Sequence, residues 1–361
     1  MQTSFFPDYV QKYFPNYVIS VVEKLNGRSM GNQIPFLFPQ LLRPTFSADG
    51  RWASITAKYQ SIAADVVALG SPTPLKSRDS LETYIGEIPK LAIKRSLNEV
   101  ELKNIDFMIA QNRDEGEIVN RIFSDIPFVI NGIDERIEDL FLSMFSTGVG
   151  LTTNNVGTGI RLDMHYHSDN SFGVATLWSD NSAKPIDDLQ KVFDKALGDG
   201  NIIRHAYLDD TALRAMYKNE QVRGLFGFNM NYVGGGANVP TLSFGQLETL
   251  FQAQFGIALH RVVRSTPTEI NGERSKHKAW ADGVIAFAVD DYVGDLVYTS
   301  TAEETRPVTG VSYTKANDYT LVSQYSEQEP LEEFTKAQAM VVPVINNVDR
   351  IYLLNSKELS A

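Results

Sequence analysis

Two strand-like limbs, about Trp52–Leu69 and Leu81–Ile93, flank the run Ser71-Pro72-Thr73-Pro74-Leu75-Lys76-Ser77-Arg78-Asp79-Ser80, and no other feature constrains the fold as strongly. A polar, proline-bearing cluster between two such limbs predicts one long hairpin. The second limb alternates at Leu91 and Ile93, less cleanly at Ile85 and Glu87. A limb of that length reaches on the order of 50 Å at about 3.3 Å per residue. A two-stranded ribbon is marginal alone in water. It needs a surface, either the chain's own sheet or a partner molecule, and its length favours the partner.

Residues 1–45 pose a similar problem. Five of the fifteen prolines fall here: Pro7, Pro15, Pro35, Pro39 and Pro44. Proline fixes φ and removes an N–H donor, so this arm is expected to be broken and extended. It is nonetheless rich in Phe, Tyr and Leu. An apolar arm must lie on its own domain or embrace a neighbouring subunit. The candidate inter-subunit contacts are Phe5, Phe6, Tyr13 and Phe14 in the arm, with Lys76, Arg78, Asp79 and Glu82 around the hairpin tip.

Further along, Ser96 and Glu99 have capping-box spacing and open a helical region over 96–125, with Leu102, Ile105 and Ile109 in phase. Pro127 and Asn131-Gly132 are expected to interrupt it. Ile133, Ile137, Leu140, Phe141, Met144 and Phe145 share one face of a second helix over 133–147. Asp134, Glu135 and Glu138 sit near its positive end, and Gly148 stops it. Strands are expected at Ile160–His167, Ile202–Leu208, Ile257–Val263 and Val284–Val289. Helices are expected from Pro185 to Leu197, around Leu213 and Tyr217, and from the Ser243/Gln246 capping pair to Gly256. Phe226–Asn238 reads as a loop, Asn271-Gly272 as a tight turn and 290–318 as irregular. Tyr319–Tyr325, Ala339–Ile345 and Ile351–Leu354 read as late strands. The fold class is α+β.

Hydrophobic residues make up 43 % and charged residues 21 %, which allows a sizeable core and argues against disorder. The absence of cysteine excludes disulfides, thiolate zinc sites and cysteine nucleophiles. A net charge of −11 with scattered basic residues argues against a tight grip on nucleic acid. No basic segment followed by an apolar run opens the chain, and no apolar run approaches the roughly 18–20 residues of a membrane span. A soluble protein without a signal peptide is expected.

Catalytic constellations are scarce. His165-Tyr166-His167 would place two imidazoles, with Asp163, on one strand face, the one arrangement suggestive of a metal-dependent hydrolase. Two ligands do not make a site, and a surface or satisfied polar role is the simpler reading. The pairs Asp187-Asp188, Asp209-Asp210 and Asp290-Asp291 read as caps and solvated surface. Neither a nucleophile elbow nor a phosphate loop is present. No catalytic residue, metal or cofactor is expected.

The order of these segments resembles the major capsid proteins of tailed phages, in particular the lambda capsid protein E family with the Hong Kong 97 fold. The hairpin with its polar tip resembles that family's extended loop, and the helix ending at Gly148 its spine helix. Arg161-Leu162-Asp163-Met164, Trp178-Ser179 and Pro185-Ile186-Asp187-Asp188-Leu189 are similar to the start of its peripheral domain. The resemblance implies an N-terminal arm (1–45), an extended loop (46–95), a peripheral domain (96–225 with 306–361) and an axial domain (226–305). It implies self-assembly into hexamers and pentamers of an icosahedral shell enclosing double-stranded DNA without sequence-specific binding. The extended loop would lie over a neighbour's spine helix. A separate scaffolding protein, a portal protein and a decoration protein are implied partners, and a virion capsid assembled in the host cytoplasm is the implied location. An encapsulin-like compartment shell is the alternative use of the same fold.

Overall fold

The computed structural model describes residues 3–25, 27–28, 34–57, 81–152, 159–229, 240–270 and 272–360. The N-terminal arm is not extended. Pro7 opens helix α1 (Pro7–Leu25), where a missing N–H leaves no bond unmade. Pro15 lies inside the helix on its exposed side. Val10, Phe14, Val18 and Val21 recur at helical spacing and are buried, and this apolar face outweighs the prolines. Phe6 is only 6 % and Phe14 1 % exposed, both within the chain's own core. Phe14 and Tyr17 meet Phe123 at ring-centroid distances of 5.9 and 5.3 Å.

After α2 (Phe38–Leu41) and β1 (Leu42–Phe46), strands β2 (Arg51–Ala57) and β3 (Leu81–Glu87) pair as an antiparallel ribbon. The ribbon's second limb does not run on to Ile93. It breaks at Ile88-Pro89, and β4 (Lys90–Leu97) joins another sheet. The expected helix over 96–125 is two helices, α3 (Glu99–Ala110) and α4 (Glu115–Ile122), separated where Asn112 adopts φ 50° and Asp114 caps α4. The capping box is Asn98 with Glu101, because Ser96 is held in β4 opposite Phe334. Pro127 sits in the first turn of α5 (Ile126–Thr147) and so starts the long helix instead of interrupting it. Gly132 lies inside α5, where a Cβ would stand 2.7 Å from Ile93 Cδ1. Gly148, with φ 78°, ends the helix as expected.

β5 (Val149–Leu151) pairs with β6 (Arg161–Asp163), all that forms of the strand expected to reach His167. There follow β7 (Ser171–Val174), α6 (Pro185–Gly198), β8 (His205–Asp209), α7 (Asp210–Lys218) and α8 (Glu220–Asn229). β8 begins three residues later than expected, and α8 occupies the start of the expected loop at 226–238, whose remainder lies outside the described residues. α9 (Phe244–Phe255) has the Ser243/Gln246 capping box and ends at Gly256, φ 70°. Then come β9 (Ala258–Val262), a hairpin of β10 (Thr266–Ile270) and β11 (Glu273–His277), and β12 (Val284–Ala288). In the expected Asn271-Gly272 turn, Gly272 takes φ 82°, and Asn271 lies outside the described residues. The stretch 290–318 is more regular than expected, with β13 (Gly294–Thr299), α10 (Ala302–Thr305) and β14 (Ser312–Lys315). β15 (Thr320–Gln328), β16 (Leu331–Ile345) and β17 (Ile351–Leu359) complete the chain.

The strands form two main sheets. One runs β1-β13-β16-β15-β14 with β4 also on β16, the other β7-β17-β12-β8-β9. Helix α5 lies between them. Its buried residues share one core with Ala337, Val341 and Val344 of β16 and with Tyr207, Ala286 and Leu353 of the second sheet. The far face of the second sheet, including Leu208, Ile285, Phe287 and Leu354, packs on α6, α7 and α9. Burial of each such large side chain contributes about 1.5–3 kcal/mol. The expected division at 225/226 does not follow these layers, since β8 precedes it and β9 and β12 follow it in one sheet.

Candidate interaction surfaces

The ribbon is rooted on its own chain. Ser54 is fully buried and its Oγ donates to Ile345 O of β16 at 2.7 Å. Tyr84, opposite Ser54 and so on the same face, stacks on the His165 ring at 4.0 Å. Trp52 is buried on this face too, and Gly86 makes room for it: a Cβ there would stand 2.6 Å from the indole Nε1. Ile85, on the opposite face, is 64 % exposed. One face therefore sets the angle at which the ribbon leaves the body, and the other offers apolar surface. Lys76, Arg78 and Asp79 lie outside the described residues, and Glu82 lies on β3 opposite Thr56.

Acidic residues of α5 hold the chain between α1 and β1. The Glu138 carboxylate accepts hydrogen bonds from the backbone N–H groups of Leu37 (2.9 and 3.0 Å) and Phe38 (3.0 Å). Glu135 pairs with Arg264 at 2.7 Å, both buried, and Arg264 also donates to Ile34 O and covers the Phe36 ring at 4.0 Å. Desolvation offsets much of the attraction in a buried pair of this kind, but removing one partner would leave the other charge uncompensated. Asp134 accepts from Tyr319 Oη at 3.0 Å. Burial, only partly offset by these hydrogen bonds, pushes the Asp134 and Glu138 carboxyls up to about 7. The earlier start of α5 removes these acids from its first turn, so they serve as tethers and not as dipole partners. At the chain's beginning, Phe5 N–H donates to Glu333 Oε2 at 3.0 Å and Ser326 Oγ to Thr3 O at 2.6 Å. Of the four candidate contacts in the arm, Phe6 and Phe14 are internal, whereas Phe5 and Tyr13 keep exposed surface.

The His165-Tyr166-His167 motif is not a chelate. His165 takes φ 50° and turns onto Tyr84, while His167 Nε2 meets Asp349 at 2.6 Å. Tyr166 fills the space over Gly148, 2.9 Å from where a Cβ would be. Among the described residues no group of three or more metal-ligating side chains converges, and no helix is long and apolar enough to cross a membrane. A polar chain that local spacing could not disclose links His260 Nε2 to His205 Nδ1 (3.1 Å) and His205 Nε2 to Asp291 (2.9 Å), across 55 residues between the histidines. Burial, and then the neighbouring His205, lower the pKa of His260.

A family model described as phage major capsid protein E matches residues 57–353. No curated protein matches. Among solved structures, the chain is similar to a protein assigned as the capsid protein of an E. coli CFT073 prophage, with a TM-score of 0.57, 13 % identity, and coverage of 94 % of this chain and 98 % of that one. It is also similar to a phage-related protein from Bordetella bronchiseptica RB50, with a TM-score of 0.52, 11 % identity and full coverage of both chains. The subunit of the bacteriophage PhiM1 mature capsid gives a TM-score of 0.50 at 7 % identity, covering 91 % of this chain and 89 % of that one. These likenesses show a mixed helix-and-sheet fold of the Hong Kong 97 type.

Proposed function

Because this chain belongs to the phage major capsid protein E family, and is thus a component of a phage capsid shell, we propose that it assembles into hexamers and pentamers tiling an icosahedral head around the double-stranded DNA of a tailed phage. The rooted ribbon carries this reading. Trp52, Ser54 and Tyr84 anchor one face to the body, and the outward Ile85 is left for a neighbour. In this arrangement the ribbon is the extended loop and α5 the spine helix. The sheet containing β16 is the body of the peripheral domain, and the expected axial segment 226–305, whose β9 and β12 share a sheet with β8 and β17, faces the capsomer axis. Lys76, Arg78, Asp79 and Glu82 meet a neighbouring subunit, and Phe5 and Tyr13 add contact from the arm. A scaffolding protein, a portal protein and a decoration protein are the further partners, with assembly in the host cytoplasm. The acidic balance of −11 suits a wall that must not bind packaged DNA tightly.

The family favours a structural over a catalytic role, and neither a cargo compartment nor a hydrolase is favoured. Negative-stain electron microscopy of the expressed chain tests the reading. Closed shells are expected, and a dispersed monomer under every assembly condition would overturn it.

A further inference from the structure

A cleft of about 600 Å³ lies between the 178–181 turn, α7, the start of α8 and the end of β17. Four cations line it, Arg214, Lys218, Arg223 and Lys357, against two carboxylates, Asp180 and Glu220. This local excess of positive charge occurs in a chain with a net charge of −11. Three nearby acids, Asp180, Asp210 and Asp282, are already engaged. Asp180 Oδ1 accepts from Ser182 N and Oγ, both at 2.8 Å. Asp210 takes two bonds from Arg261, at 2.6 and 3.0 Å, and leaves Arg214 at 3.7 Å with its side chain 74 % exposed. Lys357 stands 3.6 Å from Asp282, which Lys278 already holds. Lys218 forms no ion pair among the described residues.

The cleft is built and not incidental. Arg214 and Lys218 are four apart on α7, so two like charges share one helix face, a mild repulsion that Asp210, 3.7 Å from Arg214, only partly relieves. The walls are tied together: Trp178 N–H donates to Ser356 O at 3.1 Å, and Asn219 Nδ2 to Ala183 O at 2.8 Å. These bonds hold the walls that carry the cations in place before any ligand arrives.

We propose that this cleft receives a carboxylate-bearing segment from a second copy of the chain. The proposal rests on the shell-forming reading above and names one of its contacts. Rings closed by head-to-tail contacts need two unlike, complementary patches on each subunit. With 44 acidic against 33 basic residues, the chain has carboxylates to supply the other patch. Opposite charges across such a contact fix register and suppress wrong pairings. Duplex DNA suits the cleft less well. Its phosphates form a continuous row that calls for a basic stripe, whereas this is a confined concavity that also contains Asp180 and Glu220.

Zero-length carbodiimide cross-linking of wild-type shells, followed by peptide mass spectrometry, tests this directly. An inter-chain amide joining Lys218 or Lys357 to an Asp or Glu is expected in shells and absent from unassembled subunits. Shells in which neither lysine carries such a link would overturn the proposal. In parallel, R214E/K218E is expected to fold as wild type by circular dichroism and to yield roughly tenfold fewer shells. Wild-type shells accompanied by variant shells at equal yield would overturn this contact alone. Absence of wild-type shells would overturn the shell reading and this proposal together.

Discussion

A methyl group at Gly86 would press into the Trp52 ring, 2.6 Å from Nε1, at the point where the ribbon meets the body. Because Trp52 is buried and its strand is tied down by Ser54, the ring cannot simply swing away. Gly86→Ala is expected to destabilise the subunit by about 1–3 kcal/mol. Thermal unfolding followed by tryptophan fluorescence would show it as a lowered Tm, and an unchanged Tm would mean the indole has room to move. At this scale the sequence was partly legible. His165 and His167 stand out as a pair, but the φ of 50° at His165 sends the two rings to different partners. No residue spacing announces that turn. Phe6 and Phe14, expected to contact a neighbouring subunit, are buried in the chain's own core instead.

Helix α5 joins apolar packing with buried acids, and each has a measurable consequence. Phe141 is fully buried and stacks on Phe145 at 5.6 Å. Phe141→Asp is expected to abolish soluble folded protein, since an unpaired charge there is costly to bury, and wild-type solubility and melting in that variant would contradict the packing. The carboxyls of Asp134 and Glu138 titrate near 7 when folded and near 4 when unfolded. The folded state thus holds protons that the unfolded state releases. The stability from these groups is full below about pH 4 and is lost as pH rises through about 7. Asp134→Asn removes one of these titrations. Between about pH 5 and 8, wild type is expected to lose about 2 kcal/mol more than the variant in urea denaturation. Equal losses would mean that Asp134 is already ionised at pH 5. The apolar face of α5 was legible because it repeats every 3.6 residues. Its start was not, because proline favours a helix's first turn and breaks its interior, and only tertiary packing decided which turn Pro127 occupies.

For the whole molecule, the question is what the ribbon does once its root is secured. Deleting residues 71–80, or reversing the charges of Lys76 and Arg78, is expected to leave the subunit folded and to impair shell formation. Normal shells from either variant, seen by electron microscopy, would remove the bridging role of the tip. The local pattern by itself determined which faces are apolar, where Ser243 and Gln246 cap α9, where Gly148 and Gly256 stop helices, and that a ribbon leaves the chain near residue 52. Local order alone sets these features: side-chain periodicity, cap chemistry and the left-handed φ that glycine permits. Only the tertiary structure decided that β4 abandons the ribbon for β16, that α5 lies between two sheets, and that Glu138 captures the backbone of Leu37 and Phe38. Those contacts join segments far apart along the chain, and their free energy comes from surfaces that meet only after the chain has folded.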